Sequence, residues 1–324
     1  MVDDINIAYI EKLRTALDGH LVKTPLLRCF ELEKRFSSGT KILAKLEFLQ
    51  NTGTFKLRGA LASILSLGKE KLSSGVVAVS AGNHAIAVAY AAKSFGLKAK
   101  VVMPKSSNKF RVSTCQKLGA EVVFAENSGD AFEIVNLIKE RENLNFIHPF
   151  EGQSIVNGTA TLGYEICNQS PNMNALIIPI GGGGLCSGLS SFVRKKIPEC
   201  GIYGVEPIEA NTMYRSLKEN APQTMDNIET IADSLAAPFA MPISFEYCKK
   251  NIDGSHLVSE KEISIAMSIL FDEMNLVVEP ACATSTAALL GPLKEELDGK
   301  TIILILCGSN IDWLTYEQNI SIVR

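Results

Sequence analysis

The chain has 324 residues, 46% of them hydrophobic, and its 32 basic and 35 acidic side chains leave a net charge of −3. That length can bury the cores of two lobes with a cleft between them, whereas charge spread this evenly offers no basic stripe for a nucleic-acid backbone and no polybasic membrane anchor. No run approaches the roughly 18 apolar residues of a membrane span, and the acidic start Met1-Val2-Asp3-Asp4 lacks the positive-then-apolar order of a secretory leader. A soluble, cytoplasmic protein is expected. Cys29, Cys115, Cys167, Cys186, Cys200, Cys248, Cys282 and Cys307 never reach a C-x-x-C spacing, so they read as reduced, mostly buried thiols.

The first pattern along the chain is amphipathic, with Ile7, Ile10, Leu13 and Leu17 at helical spacing. Next comes Gln50-Asn51-Thr52-Gly53-Thr54-Phe55-Lys56-Leu57-Arg58-Gly59-Ala60, in which Lys56 opens a predicted helix with Ala60, Ile64 and Leu67 on one face. A lone lysine is usually a solvated surface residue. Here Gly53 and Thr54 make a tight polar entry, and the bulky Phe55 turns this part of the chain inward. A lysine held against apolar surface loses its proton more easily and becomes nucleophilic near neutral pH.

Short β-branched runs then alternate with helical patterns. Val76-Val77-Ala78-Val79 reads as a strand ending in the turn Ser80-Ala81-Gly82-Asn83-His84, before an Ala-rich helix over 85–95. Capping by Ser80 or Asn83 is the plain reading of that turn, worth about 1 kcal/mol. Helix N–H groups left uncapped there would suit a substrate carboxylate. His84 by itself reads as a hydrogen-bonded interior histidine.

Further strands are expected at 100–103, 121–124, 175–178, 202–205 and 301–306, with helices at 109–118 and 185–196. The alternation predicts an α/β fold with open, mostly parallel sheets and helices on both faces. Ligands bind at the carboxyl ends of such strands. Three polar turns fall there: 80–83, Gly181-Gly182-Gly183-Gly184 and Cys307-Gly308-Ser309-Asn310.

Gly181, Gly182, Gly183 and Gly184 follow a buried strand and open a helix at Leu185. Without Cβ atoms this backbone is expected to wrap an anion closely, with the helix dipole adding attraction. It lacks the Lys-Ser/Thr ending of a P-loop and the spacing of a dinucleotide fingerprint. A small phosphate held without metal fits, and a remote amine beside an aromatic ring supplies what an aldehyde cofactor needs.

These segments, in this order, resemble the fold-type II pyridoxal-phosphate enzymes that include serine and threonine dehydratases and serine racemase. Further matching stretches are Thr24-Pro25-Leu26, Met103-Pro104, Gly119-Ala120-Glu121-Val122, His148-Pro149-Phe150, Thr230-Ile231-Ala232-Asp233 and Val278-Glu279-Pro280. The resemblance implies a two-lobed enzyme like the tryptophan synthase β subunit. Residues 1–73 and 149–324 would form the large lobe and 74–148 a small lobe closing over substrate.

By the same resemblance, Lys56 carries pyridoxal 5'-phosphate and acts as the catalytic base, Phe55 packs on the cofactor ring, and Asn83 bonds its 3-hydroxyl. Gly181 to Gly184 with the Leu185 amide hold the phosphate, and Ser80, Gly82, Asn83 and His84 line the substrate carboxylate site. Cys307 faces the pyridine nitrogen, with Ser309 as the alternative. The implied activity is dehydration of L-threonine, L-serine or a related β-hydroxy amino acid by a homodimer, with an amino-acid racemase as the alternative and a non-catalytic cofactor carrier or amino-acid sensor behind it.

Departures from the family pattern bear on these expectations. Ala81 stands where serine racemases carry the serine that serves as their second acid. Thr212 replaces an acidic metal ligand near Glu206-Pro207-Ile208-Glu209-Ala210, so no metal is expected, Glu206 and Ala210 being weak candidates. The usual Ile-Ala-Asp-Gly reads Ile231-Ala232-Asp233-Ser234, and Gly-Gln-Gly-Thr reads Gly158-Thr159-Ala160-Thr161.

Overall fold

The computed structural model describes residues 2–323. Ten strands form two sheets: β1 (Leu26–Arg28), β2 (Lys41–Leu46), β3 (Val76–Val79), β4 (Ala99–Pro104), β5 (Glu121–Ala125), β6 (Asn145–Phe146), β7 (Ala175–Pro179), β8 (Gly201–Pro207), β9 (Gly254–Val258) and β10 (Thr301–Leu306). The first sheet runs β1-β2-β10-β7-β8-β9 and the second β5-β4-β3-β6. Every pairing is parallel except β1 with β2, where Leu26 faces Lys45 across an antiparallel edge. The α/β class with mostly parallel sheets is as expected.

The six strands read from sequence are those with continuous β-branched runs, and β3 and β7 are buried at every residue. β1, β2, β6 and β9 were not anticipated. β1 and β6 are only three and two residues long. β2 carries Lys41 and Lys45, and β9 includes Ser255 and His256, so neither reads as an apolar run.

Lys45 is fully buried because its ammonium donates to Glu165 Oε2 at 2.9 Å and to the Thr24 carbonyl at 2.8 Å. Arg58, also fully buried, donates to both oxygens of Glu47 at 2.7 and 2.8 Å and to both oxygens of Glu165 at 3.0 and 2.9 Å. Arg14 reaches Glu165 Oε1 at 2.7 Å. Buried charges persist only when paired and hydrogen-bonded, so this network ties the N-terminal helix Ile7–Ala16, β2 and the helices Lys56–Ser66 and Gln153–Gln169 into one frame.

The core beside the second sheet includes Leu57, Ala60, Leu61 and Ile64 from the Lys56–Ser66 helix, packed with Val76, Ala78 and the Ala-rich helix Asn83–Ser94. Yet the start of that helix is bound to the first sheet: the Phe55 N–H donates to the Cys307 carbonyl at 3.1 Å, and Thr54 bridges Gly308. Lys56 therefore sits where the two sheets meet. Among the described residues, no helix is long and apolar enough to cross a membrane.

Candidate active site

Three strand ends converge on one cleft. Lys56, Phe55, Asn83, Phe150, Gly181 to Gly184, Leu185, Ser234, Leu235, Glu279 and Cys307 all line it. Gly53 makes the entry turn at φ +69°, and Asn310 Nδ2 pins the neighbouring Thr52 carbonyl at 2.9 Å. A Cβ on Gly53 would stand 2.6 Å from Asn310 Oδ1, so the turn that presents Phe55 and Lys56 requires glycine.

The half-buried Lys56 places its Nζ 5.2 Å from the Phe55 ring centre and donates to the Pro149 carbonyl at 3.0 Å. Desolvation lowers its pKa to about 8, opposed by the nearby Cys307 and Glu279. The amine is thus partly unprotonated near neutral pH, as a nucleophile requires.

Among the described residues, no protein acceptor takes the N–H groups of Gly181, Gly182, Gly183, Gly184 or Leu185. These are the orphan donors of the Gly184–Lys196 helix, backed by its dipole. Glycine is required here by the protein's own packing as well. A Cβ on Gly182 would lie 2.3 Å from the Phe150 ring, one on Gly184 2.8 Å from the Phe150 backbone, and one on Gly181 3.0 Å from Leu235. The missing Cβ atoms let the loop lie flat on Phe150 and Leu235, with its amides free. Thr159, at a position where the family pattern has Gln, donates to the Gly184 carbonyl at 2.8 Å and braces the loop from behind.

Capping at the second helix end also differs from the plain reading. Gly82 is the N-cap and offers no side-chain bond, Ser80 Oγ accepts only from the Gly82 N–H at 3.0 Å, and the Asn83 side chain turns into the cleft. Asn83 Nδ2 donates to Glu279 Oε1 at 2.7 Å and to Ser234 Oγ at 3.1 Å, while its Oδ1 accepts from Asn310 at 2.7 Å. Among the described residues, the amides of Asn83, His84 and Ala85 have no protein acceptor. The His84 ring is buried and bonded to the Ile147 carbonyl at 2.8 Å. Burial and the neighbouring Lys56 depress its pKa to about 3, so it is neutral.

Cys307 lines the cleft, whereas Ser309 uses its N–H on the Gly53 carbonyl and does not line it. Burial and contact with Cys282 keep the Cys307 thiol protonated. All eight cysteines are free thiols, seven of them buried. Glu206 is spent on the N–H groups of Met213 and Tyr214, at 2.9 and 2.6 Å, at the start of the Thr212–Glu219 helix. Among the described residues, no group of three or more His, Cys, Asp or Glu side chains could hold a metal.

Two parts of the site carried no assigned role from sequence. Glu279 is buried, holds Asn83 through one oxygen, and turns the other, which has no hydrogen-bond partner among the described residues, towards Arg111 Nη2 at 3.7 Å. Desolvation raises its pKa. Arg111, from the Lys109–Lys117 helix beside the second sheet, crosses to Asp233 at 2.5 Å and to the Asn310 carbonyl at 2.9 Å. The matching stretches around 230–233 and 278–280 contained both acidic residues, but nothing local showed which charge each would meet.

A desolvated amine, a cradle of free amides and a neutral thiol in one cleft fit a phosphorylated aldehyde cofactor. The chain matches the model of the pyridoxal-phosphate dependent enzyme family over residues 17–308 and belongs to that family. It is 45% identical over 317 residues to a protein of Ralstonia pickettii named phenylserine dehydratase, covering 98% of this chain and 97% of that one. Its structure resembles maize serine racemase, with a TM-score of 0.92 and 28% identity over 98% of each chain. It also resembles the processed form of threonine deaminase isoform 2 from Solanum lycopersicum, with a TM-score of 0.91 and 30% identity over 99% of this chain and 95% of that one. The fold is that of fold-type II enzymes, and the cofactor is pyridoxal phosphate.

Proposed function

We propose that the protein is an ammonia-lyase dehydrating L-threonine, L-serine or a related β-hydroxy amino acid to a 2-oxo acid and ammonia. The observation that carries this reading is a desolvated Lys56 amine sharing one cleft with the unclaimed amides of the glycine loop. When bound, pyridoxal phosphate supplies an electron sink for the pair left at the substrate's Cα. Lys56 carries the cofactor and takes the α-proton as general base. Phe55 supports the cofactor ring, Asn83 its 3-hydroxyl, and the amides of Gly181 to Leu185 its phosphate. The free N–H groups of Asn83, His84 and Ala85 hold the substrate carboxylate, while Ser80 and Gly82 shape that turn. The β-hydroxyl leaves as water, and the released enamine hydrolyses to the products.

The neutral Cys307 thiol places no negative charge at the pyridine nitrogen, which shortens the life of charge at Cα and favours loss of the β-hydroxyl over reprotonation. Ala81 is exposed and carries no proton donor, so the position that resembles the second acid of serine racemases cannot serve as one, which counts against the racemase alternative. The dehydratase name of the Ralstonia relative supports the reading and brings an aryl β-substituent into its range. Closure would bring 74–148 over the large lobe formed by 1–73 and 149–324, and a cytoplasmic homodimer completes the proposal. Incubating the purified protein with L- and D-β-hydroxy amino acids should yield 2-oxo acid and equimolar ammonia from L substrates. Inversion of configuration without 2-oxo acid would replace the lyase by the racemase.

A further inference from the structure

Arg111 enters none of the steps above. It belongs to the Lys109–Lys117 helix, packed on the core of the second sheet, yet it is only 5% exposed because its guanidinium lies between the two sides of the cleft. Its Nε donates to the Asn310 carbonyl at 2.9 Å, while Nη1 and Nη2 donate to the two oxygens of Asp233 at 2.5 and 3.2 Å. The same side chain lies on the 80–83 turn, where a Cβ on Gly82 would stand 2.7 Å from Arg111 Cδ and 2.8 Å from Nη1. One residue therefore touches both the turn given to the substrate carboxylate and the turn whose next two residues, Ser234 and Leu235, line the cleft.

Neighbouring bonds cross the same gap. Asn83 reaches Glu279 and Ser234 and receives Asn310, and Asn108 Nδ2 donates to Asp312 Oδ2 at 2.5 Å. Asp233 sits between Ala232 and Leu235 of the first-sheet core. The Lys56 helix also joins the two sheets, but through Arg58, Glu47 and Glu165, whose side chains are at most 2% exposed.

Exposure separates these two junctions. The Asp233 side chain is 54% exposed, so water competes for its oxygens and its ion pair with Arg111 is weak. A buried pair resists opening, because parting it strands a charge away from water. An exposed pair opens and closes at little cost. A cleft of this kind must shut to keep water from the Lys56 amine, and must open to pass an amino acid in and a 2-oxo acid out.

Resting on the dehydratase reading, we infer that Arg111 and Asp233 form a clasp that holds the two sides of the cleft together over bound substrate. Arg111 is a positioning residue, setting the 80–83 turn against the 233–235 turn without touching the cofactor or the reacting atoms. When the binding-competent geometry is only fractionally populated, apparent affinity falls by that fraction, whereas saturating ligand restores the full population. Weakening the clasp should therefore raise KM and spare kcat.

The test measures kcat and KM for L-threonine and L-serine in the holoenzyme and in Asp233→Asn, Arg111→Gln and Arg111→Lys. Asp233→Asn and Arg111→Gln should each raise KM roughly threefold to tenfold with kcat held within about twofold, and Arg111→Lys, which keeps the charge, should fall between them and the unaltered enzyme. Melting curves and cofactor absorbance check that each variant is folded and loaded. Asp233 lies on an exposed turn, so its variant decides the matter should the buried Arg111 not tolerate change. A second readout needs no turnover. L-Alanine, which has no β-hydroxyl to lose, should slow hydrogen exchange at 109–117 and 230–236 in the unaltered holoenzyme, and Asp233→Asn should lose most of that protection. A KM within about twofold of the unaltered value in folded variants, a fall in kcat alone, or no protection by L-alanine overturns the clasp and leaves the dehydratase standing. Protection by L-alanine with no 2-oxo acid from any β-hydroxy amino acid overturns the dehydratase and upholds the clasp.

Discussion

Lys56 owes its chemistry to where its amine is, not to its neighbours in sequence. Burial brings its pKa to about 8, so a small amine-directed reagent applied to the cofactor-free protein should modify Lys56 with a midpoint near that pH, and surface lysines with a midpoint near 10.5. The linkage has a definite sign. A lysine whose folded pKa is below its unfolded value binds fewer protons folded than unfolded between the two, so the cofactor-free protein should gain stability as pH rises from about 8 to about 10.5. Borohydride followed by peptide mapping should find the cofactor fixed on Lys56, and Lys56→Ala should lose turnover with its melting temperature retained. An adduct on another lysine would refute the assignment. At Ala81, a serine should raise racemisation, read as solvent deuterium entering Cα with inverted configuration. The gain should be modest, because a donor must also be aligned and of suitable pKa.

The glycine loop is an element in which packing and ligand binding share the same atoms. A β-branched residue at 182 or 183 would meet protein atoms as well as hinder approach to the phosphate. With Phe150 2.3 Å from the Gly182 Cβ position, and Gly183 at φ +87° facing Met213, stability and cofactor affinity should fall together. Gly182→Val should cost about 1–3 kcal/mol or more of stability in the cofactor-free protein, measured by denaturant unfolding, as well as weakening cofactor affinity by titration. Shortening Phe150 to Ala in the same chain should recover part of the stability loss, a coupling a double-mutant cycle reads directly. Independent effects of the two changes would show that the ring does not dictate glycine at 182.

Across the whole molecule, the buried ionic network decides whether the Lys56 helix keeps its place. Glu165 faces Arg14, Lys45 and Arg58 together, and although burial alone would raise its pKa, Arg58 and Lys45 hold it at about 2. A depressed carboxylate contributes stability above its unfolded value of 4.5 and loses it as pH falls towards 2. Acid unfolding of the native protein should therefore steepen in that window. Glu165→Ala strands buried cations and should cost about 3–5 kcal/mol at neutral pH, while flattening the pH dependence between 4.5 and 2. Chemical denaturation across pH tests both.

Much of this architecture is local information. Apolar runs identified β3, β4, β7, β8 and β10 because a strand buried on both faces needs apolar residues almost throughout, while the edge strand β5 carried the same signal with Phe124 exposed. The order of Phe55-Lys56, Ser80 to His84, the four glycines and Cys307 carried the family and the cofactor. Contacts distant in sequence settled the rest. Lys45 and Arg58 look like surface charges until Glu47 and Glu165 fold against them, so β2 was invisible as a strand. Cys307, not Ser309, lines the cleft because the Phe55 N–H takes the Cys307 carbonyl and orients the end of β10. Glycine at 182 answers to Phe150, 32 positions earlier in the chain, and Arg111 answers to Asp233 on the opposite side of the cleft. Residue order states which groups are available, and only the packing of two sheets states which of them meet, because desolvation and charge pairing are properties of surroundings rather than of the residue.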